Sequence, residues 1–168
     1  HNALGGKTIN ISGSIGVHAP EATPFRFTGN GNTNNCLASL HGSGALNLTI
    51  LSGSKFRFNL FADNSAFTGV LVTTNSASAV SIGVAHNGSL GGALPVFRPD
   101  AVFLGSGAYL YALSNVTLRA ANRGITHAGT CYYSVPTNLT LAIESAISGS
   151  ALQKMDDGLL ILSGTNTY

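Results

Sequence analysis

The sequence predicts an all-β chain wound as a right-handed parallel β-helix or β-solenoid, with a β-sandwich or jelly roll as the alternative. Three observations point there. Short segments alternate apolar and polar residues, turn residues recur every few positions, and a turn-and-strand pattern returns late in the chain.

Period two sends successive side chains to opposite faces of a strand. In Leu46-Asn47-Leu48-Thr49-Ile50 every second residue is apolar. Lys55–Leu60 and Asn138–Ile143 read the same way, with Asn, Thr, Lys or Arg in the other set. Further strands are predicted, in chain order, at Thr8–Ser12, Phe67–Thr73, Val80–Val84, Ala101–Leu104, Tyr109–Leu113, Val116–Arg119, Cys131–Val135 and Leu159–Leu162. Helix signals are nearly absent, because Gly, Ser, Thr and Asn interrupt the chain and favour turns and caps.

An internal echo favours the solenoid. His41-Gly-Ser-Gly-Ala-Leu46 precedes a strand, followed by Gly53, a second strand and Asp63-Asn-Ser-Ala-Phe67-Thr-Gly69. About 105 residues on, Ile147-Ser-Gly-Ser-Ala-Leu152 leads to Gly158-Leu-Leu-Ile-Leu-Ser-Gly164 and Thr165-Asn-Thr-Tyr168. A sandwich has no need to repeat its turn grammar. A solenoid does, because each coil presents a similar edge to the next. The chain reads as one domain, 1–168, with related units at about 40–70 and 147–168.

These residues resemble the autotransporter-associated β-strand repeat of bacterial surface proteins. That signature is a small-residue turn with Gly, Ser and Leu, a spacer, an apolar strand, then Ser-Gly-x-Asn-x-aromatic-Thr-Gly. Ser148–Lys154 followed by Gly158–Tyr168 is similar to it, and Asp63–Gly69 is similar to the Asn-aromatic-Thr-Gly part. Asn122-Arg123-Gly124-Ile125 resembles the stretch that often precedes such a repeat. Asp156-Asp157 departs from the usual Gly-rich spacer. The resemblance implies a parallel β-helix passenger, secreted and displayed extracellularly or at a bacterial cell surface. It specifies no ligand.

Composition narrows the function. Only 8% of the 168 residues are charged, against roughly 25% in an average soluble domain. Hydrophobic residues reach 44%, and Val, Ile, Leu and Phe occur throughout, which excludes a disordered chain. No apolar run approaches the ~18 residues of a membrane helix, so no transmembrane segment is predicted. The eight Lys and Arg form no cluster beyond Lys55 and Arg57, so nucleic acid is not an expected partner. The polar surface must be Asn, Ser and Thr, which respond weakly to salt and pH and offer little charge repulsion against self-association. The first residue is His1 rather than Met, which reads as a processed, trimmed or excerpted chain.

Catalysis needs converging titratable groups. Of six carboxylates only Asp156 and Asp157 are neighbours, and a solvent-facing turn is their expected role. Calcium would need six to eight oxygens, which no acidic loop supplies. The histidines at 1, 18, 41, 86 and 127 lack metal-ligand spacing, although His41 and His127 could meet in space. No nucleophile elbow or phosphate loop occurs. No catalytic residue, cofactor or metal site is therefore predicted, and no enzyme. Five Asn-x-Ser/Thr sequons, at Asn10, Asn47, Asn87, Asn115 and Asn138, are close to chance in such a composition.

Structural roles are expected for Asn64 and Asn166, whose amides suit backbone groups left unpaired at coil corners, and for Phe67 and Tyr168 as an inward aromatic stack. Cys36 and Cys131 read either as a disulfide or as two buried thiols. Tyr109 and Tyr111, two apart, share one strand face and are the candidate glycan contact; Tyr132 and Tyr133 fall on opposite faces.

The first functional expectation is a structural surface protein whose partners are copies of itself. Gly164–Tyr168 stops inside the repeat motif, and Ala3–Ile11 resembles what normally follows, so head-to-tail docking would build a filament or matrix. The second is an adhesin binding glycans or host surfaces. A polysaccharide-degrading β-helix enzyme is the third, disfavoured by the few acids.

Overall fold

The computed structural model describes residues 8–21, 23, 25–29, 33–50, 56–74, 79–119 and 121–168. Among them are eighteen strands and no helix. The first coil holds β1 (Thr8–Ile11), β2 (Ser14–Gly16) and β3 (Phe25–Gly29), and the next β4 (Thr33–Cys36), β5 (Ser39–His41) and β6 (Ala45–Ile50). Two coils then carry two strands each: β7 (Phe56–Leu60) with β8 (Val70–Thr74), and β9 (Val80–Val84) with β10 (Arg98–Leu104). Three strands return in β11 (Tyr109–Ala112), β12 (Val116–Leu118) and β13 (Arg123–His127), and again in β14 (Cys131–Ser134), β15 (Thr140–Ile143) and β16 (Ile147–Gly149). The chain closes with β17 (Leu152–Met155) and β18 (Leu159–Leu162).

The strands stack into a β-solenoid. One side is a seven-stranded sheet, β1-β4-β7-β9-β11-β14-β17, and a second is six-stranded, β16-β13-β10-β8-β6-β3. The third side is split into β2-β5 and β12-β15-β18. Between those two parts, 61–69 and 85–97 run as turns and irregular chain. Every strand pair among the described residues is parallel, which rules out the sandwich alternative.

The core is a stack of apolar columns. Cys36, Leu60, Val84 and Ala112 lie in register across the first sheet, and Phe58, Ile82, Leu110 and Tyr133 form the column beside them. Leu46, Leu71, Val102, Ile125 and Ile147 line the second sheet. All of these are buried. Each large side chain contributes roughly 1.5–3 kcal/mol on leaving water. Alternation is legible because one face of each sheet stays wet, as the alternating burial of β4, β11 and β15 records.

Three expectations need correction. Cys36 and Cys131 are free, buried thiols in β4 and β14, with β7, β9 and β11 between them. Four strand spacings of ~4.8 Å part them by about 19 Å, beyond any disulfide. Phe67 is buried, but Tyr168 is 48% exposed, so the two make no inward stack. The strand predicted from Phe67 starts at Val70, because Phe67 N–H closes a turn onto Asn64 O (2.8 Å). The predicted Lys55 and the proposed N-terminal turn at Ala3–Lys7 lie outside the described residues.

The split side is held by one guanidinium. Arg123 is 2% exposed and has no carboxylate partner among the described residues. Its Nε donates to Gly92 O (2.9 Å), Nη1 to Gly69 O (2.9 Å) and Ala101 O (3.3 Å), and Nη2 to Phe67 O (3.1 Å). Burial lowers its pKa to about 10, helped by the charge of Arg98. The segments without a sheet ladder thus find a donor for their carbonyls.

Candidate functional site

The outer face of the seven-stranded sheet carries two side-chain columns. In one, Arg57, Ser81, Tyr109, Tyr132 and Gln153 follow one another in register. In the other stand Asn10, Asn35, Asn59, Gly83, Tyr111, Ser134 and Met155. Alternation in β11 turns Tyr109 and Tyr111 outward while Leu110 and Ala112 enter the core. The Tyr109 and Tyr132 rings stack with centroids 4.7 Å apart and planes at 21°. Tyr133, the next residue, points into the core instead and is fully buried.

Gly83 leaves a gap in the second column, and Arg57 reaches across it. Its guanidinium carbon lies 4.2 Å from the centre of the Tyr111 ring. This cation–π contact fixes a long side chain flat on the surface. Below it, Asn59 Nδ2 donates to Asn35 Oδ1 and Asn35 Nδ2 to Asn10 Oδ1, both at 3.0 Å. That ladder stops at Gly83. Asn59 Oδ1 is the buried side-chain oxygen without a hydrogen-bond partner among the described residues.

A separate cleft of about 410 Å³ is lined in part by Asp63, Ser65, His86, Asn87 and Arg119. Asn87 Oδ1 accepts the Arg119 backbone N–H (2.9 Å), and Asp63 Oδ1 that of Ser65 (3.0 Å). No carboxylate pairs with the Arg119 guanidinium among the described residues. Aromatic faces, a guanidinium and scattered amides can hold a neutral polyhydroxylated ligand by stacking and hydrogen bonding. The described residues offer no three converging His, Cys, Asp or Glu side chains.

The other expected residues lie elsewhere. Asn64 is buried at a corner; its Oδ1 accepts Leu40 N–H (2.8 Å) and its Nδ2 donates to Ser89 O (2.9 Å), which ties together three coils. Asn166 Oδ1 accepts Ile147 N–H at 3.1 Å. Asp156 occupies a left-handed turn (φ 62°) and accepts the Ser134 hydroxyl; Asp157 beside it is exposed. His41 and His127 do not meet. His127 bonds Tyr133 and Ser150, whereas His41 lies beside His18. Sequence reasoning missed Arg57 and Tyr132 as partners of the tyrosines, because only the coil length, here 23 to 28 residues between paired strands at Tyr109, tells which residues become neighbours. No helix is long and apolar enough to cross a membrane among the described residues. No known protein family, curated protein or solved structure matches the chain.

Proposed function

We propose that this β-solenoid is a non-enzymatic surface protein that binds glycans through the outer face of its seven-stranded sheet. The observation that carries the reading is the layer formed by Arg57 on Tyr111 and Tyr109 on Tyr132. Sugar rings present C–H groups on their faces and hydroxyls at their rims. Flat aromatic rings suit the first, and the guanidinium and amide edges suit the second. A solenoid face repeats at each strand and so matches an extended polymer better than a single small molecule. Resemblance to the autotransporter-associated repeat supports an extracellular place for such a face.

Glycan-array binding and affinity electrophoresis on polysaccharide gels test this. Tyr109→Ala and Tyr111→Ala should each weaken binding at least tenfold without changing the circular dichroism spectrum. Silence of the folded wild type across the array would sink the reading. Self-association is the competing one, favoured by the exposed apolar Leu159 and Ile161 on the outer side of β18. Sedimentation of the same preparation separates them: growth with concentration in a chain that ignores glycans would put assembly first.

A further inference from the structure

A different surface, on the split side of the solenoid, brings together two histidines that are 23 residues apart in the chain. Strands β2 and β5 pair in parallel with Gly16 opposite His41. Because Gly16 has no side chain, a space opens above it. A Cβ placed there would lie 3.0 Å from His18 Nε2 and 3.0 Å from His41 Nε2. The two ring nitrogens therefore converge on one point. The rings lie beside each other, with centroids 6.0 Å apart and planes at 72°.

We infer that His18 and His41 form a two-histidine site for a divalent transition metal such as Zn²⁺ or Ni²⁺, seated over Gly16. Metal–nitrogen bonds of about 2.0–2.1 Å need ring nitrogens within roughly 4 Å of each other. Two nitrogens each 3.0 Å from one point stand no more than 6.0 Å apart, and rotation of the imidazoles closes that spacing around an ion. His41 Nδ1 lies 3.1 Å from Ser14 Oγ. When Nδ1–H donates to that hydroxyl, Nε2 is left with its lone pair facing the space, which is the orientation a metal ligand requires. His18 is confined from the other side, since Gly42 (φ 96°) approaches its ring closely enough that a Cβ would stand 3.0 Å from Cε1. The backbone frame is fixed by Val17 N–H on His41 O and Gly44 N–H on Val17 O, both 2.8 Å.

The donor set selects the metal class. Two neutral imidazoles suit zinc, nickel and copper, whereas Mg²⁺ and Ca²⁺ demand oxygen ligands. With no third His, Cys, Asp or Glu converging among the described residues, water completes the coordination shell. The site clips two successive coils together, so a bound ion stabilises the fold.

Calorimetric titration of the whole chain with Zn²⁺ and with Ni²⁺, paired with thermal melting, tests the site. Expected are one ion bound per chain, a rise in Tm, and no response to Mg²⁺ or Ca²⁺. His18→Gln and His41→Gln should each weaken binding at least tenfold. Gly16→Ala should do the same while keeping both ligands, because its methyl group crowds both Nε2 atoms and keeps them from closing on an ion. His86→Gln, which alters a histidine away from the site, should leave the affinity unchanged. Selective broadening of the His18 and His41 imidazole resonances by Ni²⁺ in the wild-type protein checks the assignment without any variant. Wild-type protein that binds neither ion, affinity that survives in His18→Gln, or broadening confined to other histidines would overturn the inference.

Discussion

The two halves of the outer face occupy the same columns with different chemistry. Toward the N-terminus the second column holds Asn10, Asn35 and Asn59, each amide bonded to the next along the axis. Toward the C-terminus the same face carries Tyr109, Tyr111 and Tyr132, which meet ring to ring or take a guanidinium. The amide ladder turns its inner donors and acceptors on itself and leaves Asn59 Oδ1 unpaired at its end. The tyrosines of the aromatic half are only half-buried and stand outside any such ladder. One half of the face therefore reinforces the stack, and the other is free to meet a ligand. Gly83 marks the boundary, where a Cβ would collide with the Asn59 amide oxygen.

Breaking the junction should have the largest effect. Arg123 lies where the irregular segments 61–69 and 85–97 separate the halves, and it gathers the carbonyls of Phe67, Gly69, Gly92 and Ala101. Arg123→Met keeps most of the volume and removes every donor, leaving buried acceptors short of partners. A loss of about 3 kcal/mol is expected from urea denaturation. Arg123→Lys should also lose stability, since an ammonium cannot reproduce the planar fork. Equal stability in Arg123→Lys and wild type would mean that charge, not geometry, holds the junction.

A smaller effect separates the ladder from the aromatics. Asn35→Ala removes two amide hydrogen bonds and strands the buried Asn59 Nδ2, for an expected loss of about 1–2 kcal/mol. Glycan binding by Asn35→Ala should be unchanged, the reverse of the pattern expected for Tyr109→Ala. Matching profiles for the two variants would erase the distinction between the halves.

Much of this architecture is legible in the residues. Alternation located most of the core strands, since a wet outer face forces period two on each of them. It overlooked β4, whose Thr33-Asn34-Asn35-Cys36 carries too little apolar character, the three-residue β2, β5 and β16, and also β3, β13 and β17. The site was half visible. Tyr109 and Tyr111 share a face by local spacing alone, but Arg57 joins Tyr111 across 54 positions and through the gap at Gly83. The spacing of His18 and His41 shows no metal-ligand pattern for the same reason. In a solenoid, residues one coil apart are neighbours, and coil length varies with each corner. Arg123 was noticed only within a family-like motif, because nothing in its neighbours announces that four distant carbonyls converge on it.

Acid provides the finest cut between the halves. Among the described residues, the buried polar side chains of the N-terminal half are Asn34, Asn47, Asn59, Asn64, Thr73 and Ser81, amides and hydroxyls that do not titrate near neutrality. The C-terminal half buries His127 against Tyr133. With Nδ1–H donating to Ser150 O (3.3 Å), Nε2 accepts the Tyr133 hydroxyl (2.9 Å), an arrangement that requires the neutral ring. Burial pushes the His127 pKa below its ordinary 6.5, opposed in part by the Ser150 carbonyl. The unfolded chain thus binds a proton before the folded one does. Stability is complete above the unfolded value near 6.5 and falls as pH drops from there to the lower folded value, below which no more is lost through this group. Hydrogen exchange at pH 7 and pH 5 should show protection falling in β13, β14 and β16 while β4 and β7 hold. In His127→Phe, which fills the space without a titrating group, that difference should vanish. Uniform loss across both halves, or a His127→Phe variant that keeps the acid response, would show that the proton acts elsewhere.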